Sequence, residues 1–240
     1  MISLVYKEFN AFFNNLTGYL IISVFLVALG LLVWVFPDTS VLQYGFADLE
    51  ALFVYTPYVF VFMVPAITMR MIAEEKRNGT WELLMTSPIK PYQIILAKYF
   101  AAVLVVIMAL LPTLLYYYSV YQLGAPAGNI DTAGFMGSFL GMVLMGAVFA
   151  AIGLFSSSLT DNQITAFVIG AFISFVLYFG FPAMADLMEM SNFVLIIEEL
   201  SLSYHYESMS RGVIASNDLY YFLGWIISLV ILTTLMIREK

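Results

Sequence analysis

Long apolar runs alternate with short polar intervals along this chain, and six of the runs are long enough to matter: Tyr19–Phe36, Val54–Ile72, Ile94–Val120, Phe135–Phe155, Ile164–Ala185 and Leu219–Ile237. A helix rises about 1.5 Å per residue and a bilayer's hydrocarbon slab is about 30 Å thick, so about 20 apolar residues cross it. The apolarity is continuous and does not alternate, which predicts spanning helices and excludes the strands of a membrane barrel. Ahead of the first run, Leu4, Val5, Phe9, Phe12, Phe13 and Leu16 recur at helical spacing with Lys7, Glu8, Asn10 and Asn14 between them. That pattern predicts an amphipathic helix, either lying in the headgroup layer or extending the first span. The run has only Lys7 before it and no small-x-small cleavage site after it, so it reads as a retained anchor and not a cleaved signal.

Within the runs, Pro57 and Pro65 each remove a backbone donor from the second span, as flexing points or as ordinary packing features of a membrane helix. The third span contains Pro112 and ends in Tyr116, Tyr117, Tyr118 and Tyr121, an expected aromatic belt at the headgroup level. In the fourth, Gly137 with Gly141 and Gly146 with Ala150 form small-xxx-small repeats, suited to close approach of another helix in the same bundle or of a second subunit. The turn Ser156–Gln163 is short enough to make spans four and five an antiparallel hairpin, with Asp161 as the expected N-cap of span five. Between Ala185 and Asp218, the stretches around Phe193–Leu200 and Tyr204–Gly212 predict a small helical cap on one mouth of the bundle. No repeat, low-complexity tract or soluble domain interrupts this, so residues 1–240 read as one domain.

The most distinctive interval runs from Ala73 to Pro88. Gly79 frees the backbone at its top, Thr80 is an expected cap, and Glu82 suits the positive end of a short helix. Ser87 precedes Pro88 and is biased away from helical geometry, so the helix should stop there after about seven residues, or ~10 Å. Trp81, Leu84 and Met85 fall on one face, expected to enter an apolar cleft of a partner, with Glu74, Glu75, Lys76 and Arg77 as a charged rim. The alternative is a solvated linker. Pro91 suits the first turn of the next helix.

Composition fixes the solvent: 62% of residues are hydrophobic and 10% charged, with a mean hydropathy of +0.95, values that place most of the chain in lipid. The net charge of −7 argues against nucleic acid. Lys7, Arg70, Lys76, Arg77, Lys90, Lys98, Arg238 and Lys240 share one side of a six-span arrangement, and only Arg211 falls on the other. By the positive-inside rule that side, with both termini, is expected to be cytoplasmic. The opposite intervals are acidic, with Asp38, Asp48, Glu50, Asp131, Asp186, Glu189, Glu198, Glu199, Glu207 and Asp218.

Several chemistries are missing from the sequence. There is no cysteine, no phosphate-binding loop and a single histidine, His205, so thiolate chemistry, ATP hydrolysis and paired-histidine metal sites have no residues to carry them. His205, flanked by Tyr204, Tyr206 and Glu207, reads as a surface or packing residue. No ionisable residue lies near a span centre, which argues against an ion-coupled carrier, and Arg70 is placed to snorkel at a membrane edge. A bundle of this kind draws its energy from elsewhere.

At Glu74-Glu-Lys-Arg-Asn-Gly-Thr80 and Glu82-Leu-Leu-Met-Thr-Ser-Pro88, and again at Ser157-Ser-Leu-Thr-Asp-Asn-Gln163, the chain resembles the permease subunits of ABC-2 type transporters. The resemblance covers essentially the whole chain. It implies an all-α membrane fold of six spans with an N-terminal interfacial helix, a cytoplasmic coupling helix between spans two and three, and an extracytoplasmic helical cap between spans five and six. It also implies a separate ABC ATPase, in two copies, that binds the ATP and Mg and docks on Glu74–Arg77, Gly79–Glu82, Leu84, Met85, Ser87 and Pro88. A second permease, identical or related, would pair with this one, and the assembly would sit in a bacterial cytoplasmic (inner) membrane. Within the family, Met1–Phe9 and His205–Val213 look like the gliding-motility-associated permeases. Export is the expected activity, with ATP-driven force transmission to envelope machinery, moving no solute, as the alternative.

Overall fold

In the computed structural model, which describes residues 1–43, 46–187, 192–212 and 215–238, every regular element is helical. An N-terminal helix α1 (Ile2–Phe13) turns at Asn14 into α2 (Leu16–Trp34). Helix α3 (Glu50–Thr68) continues past a bend at Met69 as α4 (Arg70–Arg77), and a tight turn leads to α5 (Thr80–Met85). Then come α6 (Pro91–Leu110), a 3₁₀ turn at Leu111–Thr113, and α7 (Leu114–Leu123). Helix α8 (Thr132–Leu159) is antiparallel to α9 (Gln163–Phe175), which passes through a π-helical turn, Val176–Gly180, into α10 (Phe181–Asp186). The chain ends with α11 (Asn192–Glu199), α12 (Leu202–Ser210) and α13 (Ser216–Arg238).

Among the described residues, 6 helical stretches are long and apolar enough to cross a membrane: Leu16–Trp34, Glu50–Arg77, Pro91–Leu123, Thr132–Leu159, Gln163–Asp186 and Ser216–Ile237. Each expected span is present. Most run longer than hydropathy predicts, because polar residues such as Glu74–Arg77 are good helix formers and simply continue the helix beyond the lipid. Helix α8 is the central post, packed by α3, α6, α9, α12 and α13.

Small residues on α8 permit that density. A Cβ on Gly153 would lie 1.9 Å from Thr68 Oγ1, so only glycine lets α3 approach so closely there. The small-xxx-small repeats are spent inside this chain as well. Gly137 meets the Met209 carbonyl and Gly212, Gly141 meets the Tyr206 ring, Gly146 meets Val106 and Phe60, and Ala150 is fully buried. Of the two partners expected for these four residues, another helix of the same bundle or a second subunit, the structure shows the first: α3, α6 and α12 pack against their face.

The helix α3 also explains one contact of the α11–α12 cap. Pro57 has no N–H, which leaves the Phe53 carbonyl four residues earlier without its helical donor. Tyr206 on α12 supplies the missing hydrogen bond, O–H to O, at 2.8 Å. Burial pushes the Tyr206 phenol well above its ordinary value, so it remains a neutral donor. His205 is buried beside it and ties three helices together, with Nδ1 2.7 Å from Asp218 Oδ1, Nε2 2.9 Å from the Glu199 carbonyl, and its ring stacked on Tyr221 at 3.9 Å. A carbonyl oxygen only accepts, so Nε2 carries a proton. The packing role expected for this histidine is what its surroundings provide.

Candidate functional site

Helices α4 and α5 form a hairpin at the end of the bundle that also carries α1 and the last turn of α13. Its top is made by Asn78 and Gly79, and Gly79 adopts φ 69, ψ 8, the left-handed conformation that other residues pay about 1–2 kcal/mol to enter. Gly79 thus ends α4 and starts α5 in a single residue. Thr80 does not cap α5; its Oγ1 reaches back and donates to the Glu75 carbonyl at 3.3 Å. At the far side, Ser87 Oγ donates to the Leu84 carbonyl at 2.6 Å, and Lys90 N donates to Gln93 Oε1 at 3.2 Å just before Pro91 begins α6.

Three sets of interactions hold the hairpin to the bundle. At the α3–α4 joint, Ser157 on α8 inserts its hydroxyl into the helix ladder: Oγ accepts from Ile72 N at 3.1 Å and Ala73 N at 3.0 Å, and donates to the Met69 carbonyl at 2.9 Å. A side chain entering the ladder is a recognised cause of a bend, here the one at Met69. One residue on, the Ser158 carbonyl accepts from Lys76 Nζ.

The second set is ionic. Lys98 on α6 is 0% exposed; its ammonium donates to the Met71 carbonyl at 2.8 Å and forms ion pairs with Glu75 Oε2 at 2.9 Å and Glu8 Oε2 at 3.2 Å. One ammonium therefore joins α1, α4 and α6. Beside it the Arg70 guanidinium lies 5.6 Å from the centroid of the Phe12 ring, so Arg70 turns to α1 instead of snorkelling outward.

The third set is apolar and corrects the expected orientation of the stripe. Trp81, Leu84 and Met85 are half-buried and pack onto the chain's own residues Leu4, Ile94 and Ala97. The face of α5 turned outward carries Glu82 and Leu83, and Leu83 is 73% exposed. Arg77, Asn78, Gly79 and Thr80 form an exposed tip, whereas Glu74, Glu75 and Lys76 are half-buried on the last turns of α4 and are not a free rim. Pro88 is exposed and Ser87 half-buried.

A groove of about 650 Å³ opens beside this tip. The exposed edges of Trp81 and Met85, with Glu82, form one wall, and Thr160, Asp161 and Ile237 form the other. Asp161 is free to line it because Asn162, not Asp161, caps α9, its Oδ1 accepting from Ile164 N at 2.9 Å and Thr165 N at 3.4 Å. The hairpin, the α8–α9 turn and the end of α13 are thus one continuous surface. Sequence reasoning missed Leu83, Ser157 and the Glu8–Lys98–Glu75 cluster. A lysine set in the apolar run Ile94–Phe100 was the signal for the last of these.

Six membrane-length helices, one of them a central post, with a braced helical hairpin at one end and a two-helix cap at the other, define a polytopic helical membrane protein. The chain belongs to the ABC-2 family transporter proteins, whose family model matches residues 6–237. It is accordingly a membrane permease subunit that works with a separate ABC ATPase subunit. No curated protein matches the chain.

Proposed function

We propose that the exposed tip of the α4–α5 hairpin, Arg77–Thr80 with Glu82 and Leu83, is the point at which the ATPase subunit docks, and that ATP-driven movement there is used for export. The observation that carries this is the bracing of the hairpin. An exposed knuckle fixed by a serine in the helix ladder, a buried ammonium and an apolar stripe transmits a push into α3, α6 and α8 without folding away. The inward-packed Trp81, Leu84 and Met85 serve this rigidity, while Leu83 and the groove beside Asp161 meet the partner. In this reading the hairpin end, with both termini, is cytoplasmic, in line with the eight basic residues on that side and only Arg211 on the other. Two ATPase copies, which bind the ATP and Mg, close beneath two permeases, identical or related, in a bacterial inner membrane. Assignment to a gliding-motility system is supported by the similarity of Met1–Phe9 and His205–Val213 alone.

The test is co-purification with the ABC ATPase subunit of the same system. Leu83→Asp combined with Arg77→Asp is expected to abolish capture of the ATPase while leaving the permease's melting temperature unchanged. Retention of nucleotide-dependent ATPase binding by that double variant would refute the docking assignment. A second reading, force transmission without cargo, is favoured by the firm attachment of the α11–α12 cap through Tyr206 and His205. Reconstituted vesicles separate the two readings: ATP-dependent solute or lipid movement means export, and stimulated hydrolysis with no cargo means transmission.

A further inference from the structure

A cavity of about 620 Å³ lies at the opposite end from the hairpin, between α3, α8, α12 and the π-helical turn. Nothing in the docking reading uses it. Its volume falls within the ~300–1,000 Å³ typical of small-molecule sites. The inner wall is aromatic: Phe53, Tyr58, Phe135 and Tyr178 line it, with Tyr58 packed 4.7 Å from Phe179 and 6.5 Å from Tyr178.

Two features of this wall require explanation. Tyr178 is only 7% exposed, and its hydroxyl, open to the cavity, makes no hydrogen bond among the described residues. The residue also sits on the five-residue π turn Val176–Gly180, a helix type found mostly at functional sites. That turn rotates Tyr178 out of the register that straight α-helix would give it, and onto the cavity.

The mouth supplies the complement. Glu50 and Glu207 line it, and neither side chain has a hydrogen bond or ion pair among the described residues. Glu207 and Tyr178 line the same cavity. Asp48 and Asp131 also line the mouth but are engaged: Asp48 Oδ1 accepts from Leu49 N at 2.6 Å, and Asp131 Oδ1 from Gly134 N at 2.9 Å. Against these carboxylates the lining holds a single cation among the described residues, Arg211. An anionic ligand would meet four carboxylates, and a purely apolar one would leave Tyr178 unmatched.

We propose that this cavity binds a primary amine, as its ammonium, carried on an apolar body about the size of one ring. The N–H groups donate to the Tyr178 oxygen and to the Glu207 carboxylate, the positive charge faces the aromatic rings, and the apolar body fills the space against Phe53 and Phe135. A free amine and the amino headgroup of a lipid share this chemistry.

Isothermal titration calorimetry on the full chain in phosphatidylcholine nanodiscs tests it, with 2-phenylethylammonium as probe and 3-phenylpropionate, of similar size and opposite charge, as control. The expected result is saturable one-to-one binding of the ammonium and none of the carboxylate. Tyr178→Phe and Glu207→Gln change few atoms, and each is expected to weaken binding about tenfold, the worth of a hydrogen bond to a charged group. Repeating the titration in nanodiscs containing phosphatidylethanolamine separates the sources. Weaker apparent binding identifies the lipid headgroup as occupant, and unchanged binding identifies a free amine. Absence of saturable ammonium binding, equal binding of 3-phenylpropionate, or full affinity retained by both variants would overturn the proposal.

Discussion

Replacing Lys98 by Met removes one buried ammonium and strands two carboxylates. The methionine fills nearly the same volume, so the loss is electrostatic and not a cavity effect. The Glu8 and Glu75 side chains are 10% and 19% exposed, and Lys98 stands between them at 3.2 and 2.9 Å. Removing one partner of a buried ion cluster costs about 3–5 kcal/mol, because the remaining charges stay desolvated without compensation. For a chain of this size 1 kcal/mol shifts the melting temperature by about 2–4 °C, which gives an expected fall of about 6–20 °C. The assay is thermal unfolding followed by fluorescence-detected size exclusion, with limited proteolysis to report release of α1. Neutralising the carboxylates together with the lysine, as Glu8→Gln, Lys98→Met and Glu75→Gln, removes the stranded charges and should restore much of the loss. A shift below about 2 °C for Lys98→Met alone, or a triple variant as unstable as the single one, would refute the reasoning.

Two further substitutions probe other joints. Ser157→Ala leaves the Ile72 and Ala73 N–H groups and the Met69 carbonyl without their shared partner, with an expected cost of about 1–3 kcal/mol, read as faster amide exchange at 69–73 and weaker coupling of ATP hydrolysis to transport. Tyr206→Phe leaves the Phe53 carbonyl opposite Pro57 unmatched, and a similar loss should appear as faster exchange in α12 with α5 and α6 unaffected.

Hydropathy revealed the spans because the bilayer acts directly on composition: every backbone group must be paired and every lipid-facing side chain must be apolar. It could not reveal where helices end, since Glu74–Arg77 are as willing to continue a helix as to form a loop. Periodicity showed that Trp81, Leu84 and Met85 share a face, but a pattern along one helix carries no information about what that face meets. The inward orientation follows from Leu4, Ile94 and Ala97, which are far away in sequence. Asp161 and Asn162 are chemically equivalent as caps, and only backbone geometry chooses between them. Lys98 was visible as an oddity in an apolar run, while its partners on α1 and α4 were not. The glycine repeats were legible as close-approach surfaces, and the fold decided that the approach is internal.

Helices α3 and α4 together run 28 residues, from Glu50 at the cavity mouth to Arg77 at the hairpin tip, a bent path about 42 Å long at helical rise. Ser157 grips it at Ile72 and Ala73, only about 8 Å from the tip and about 33 Å from the other end. Under the docking proposal, a push against Arg77 reaches α3 only through this gripped and bent joint, so Ser157 sets how much of the stroke arrives at the opposite mouth.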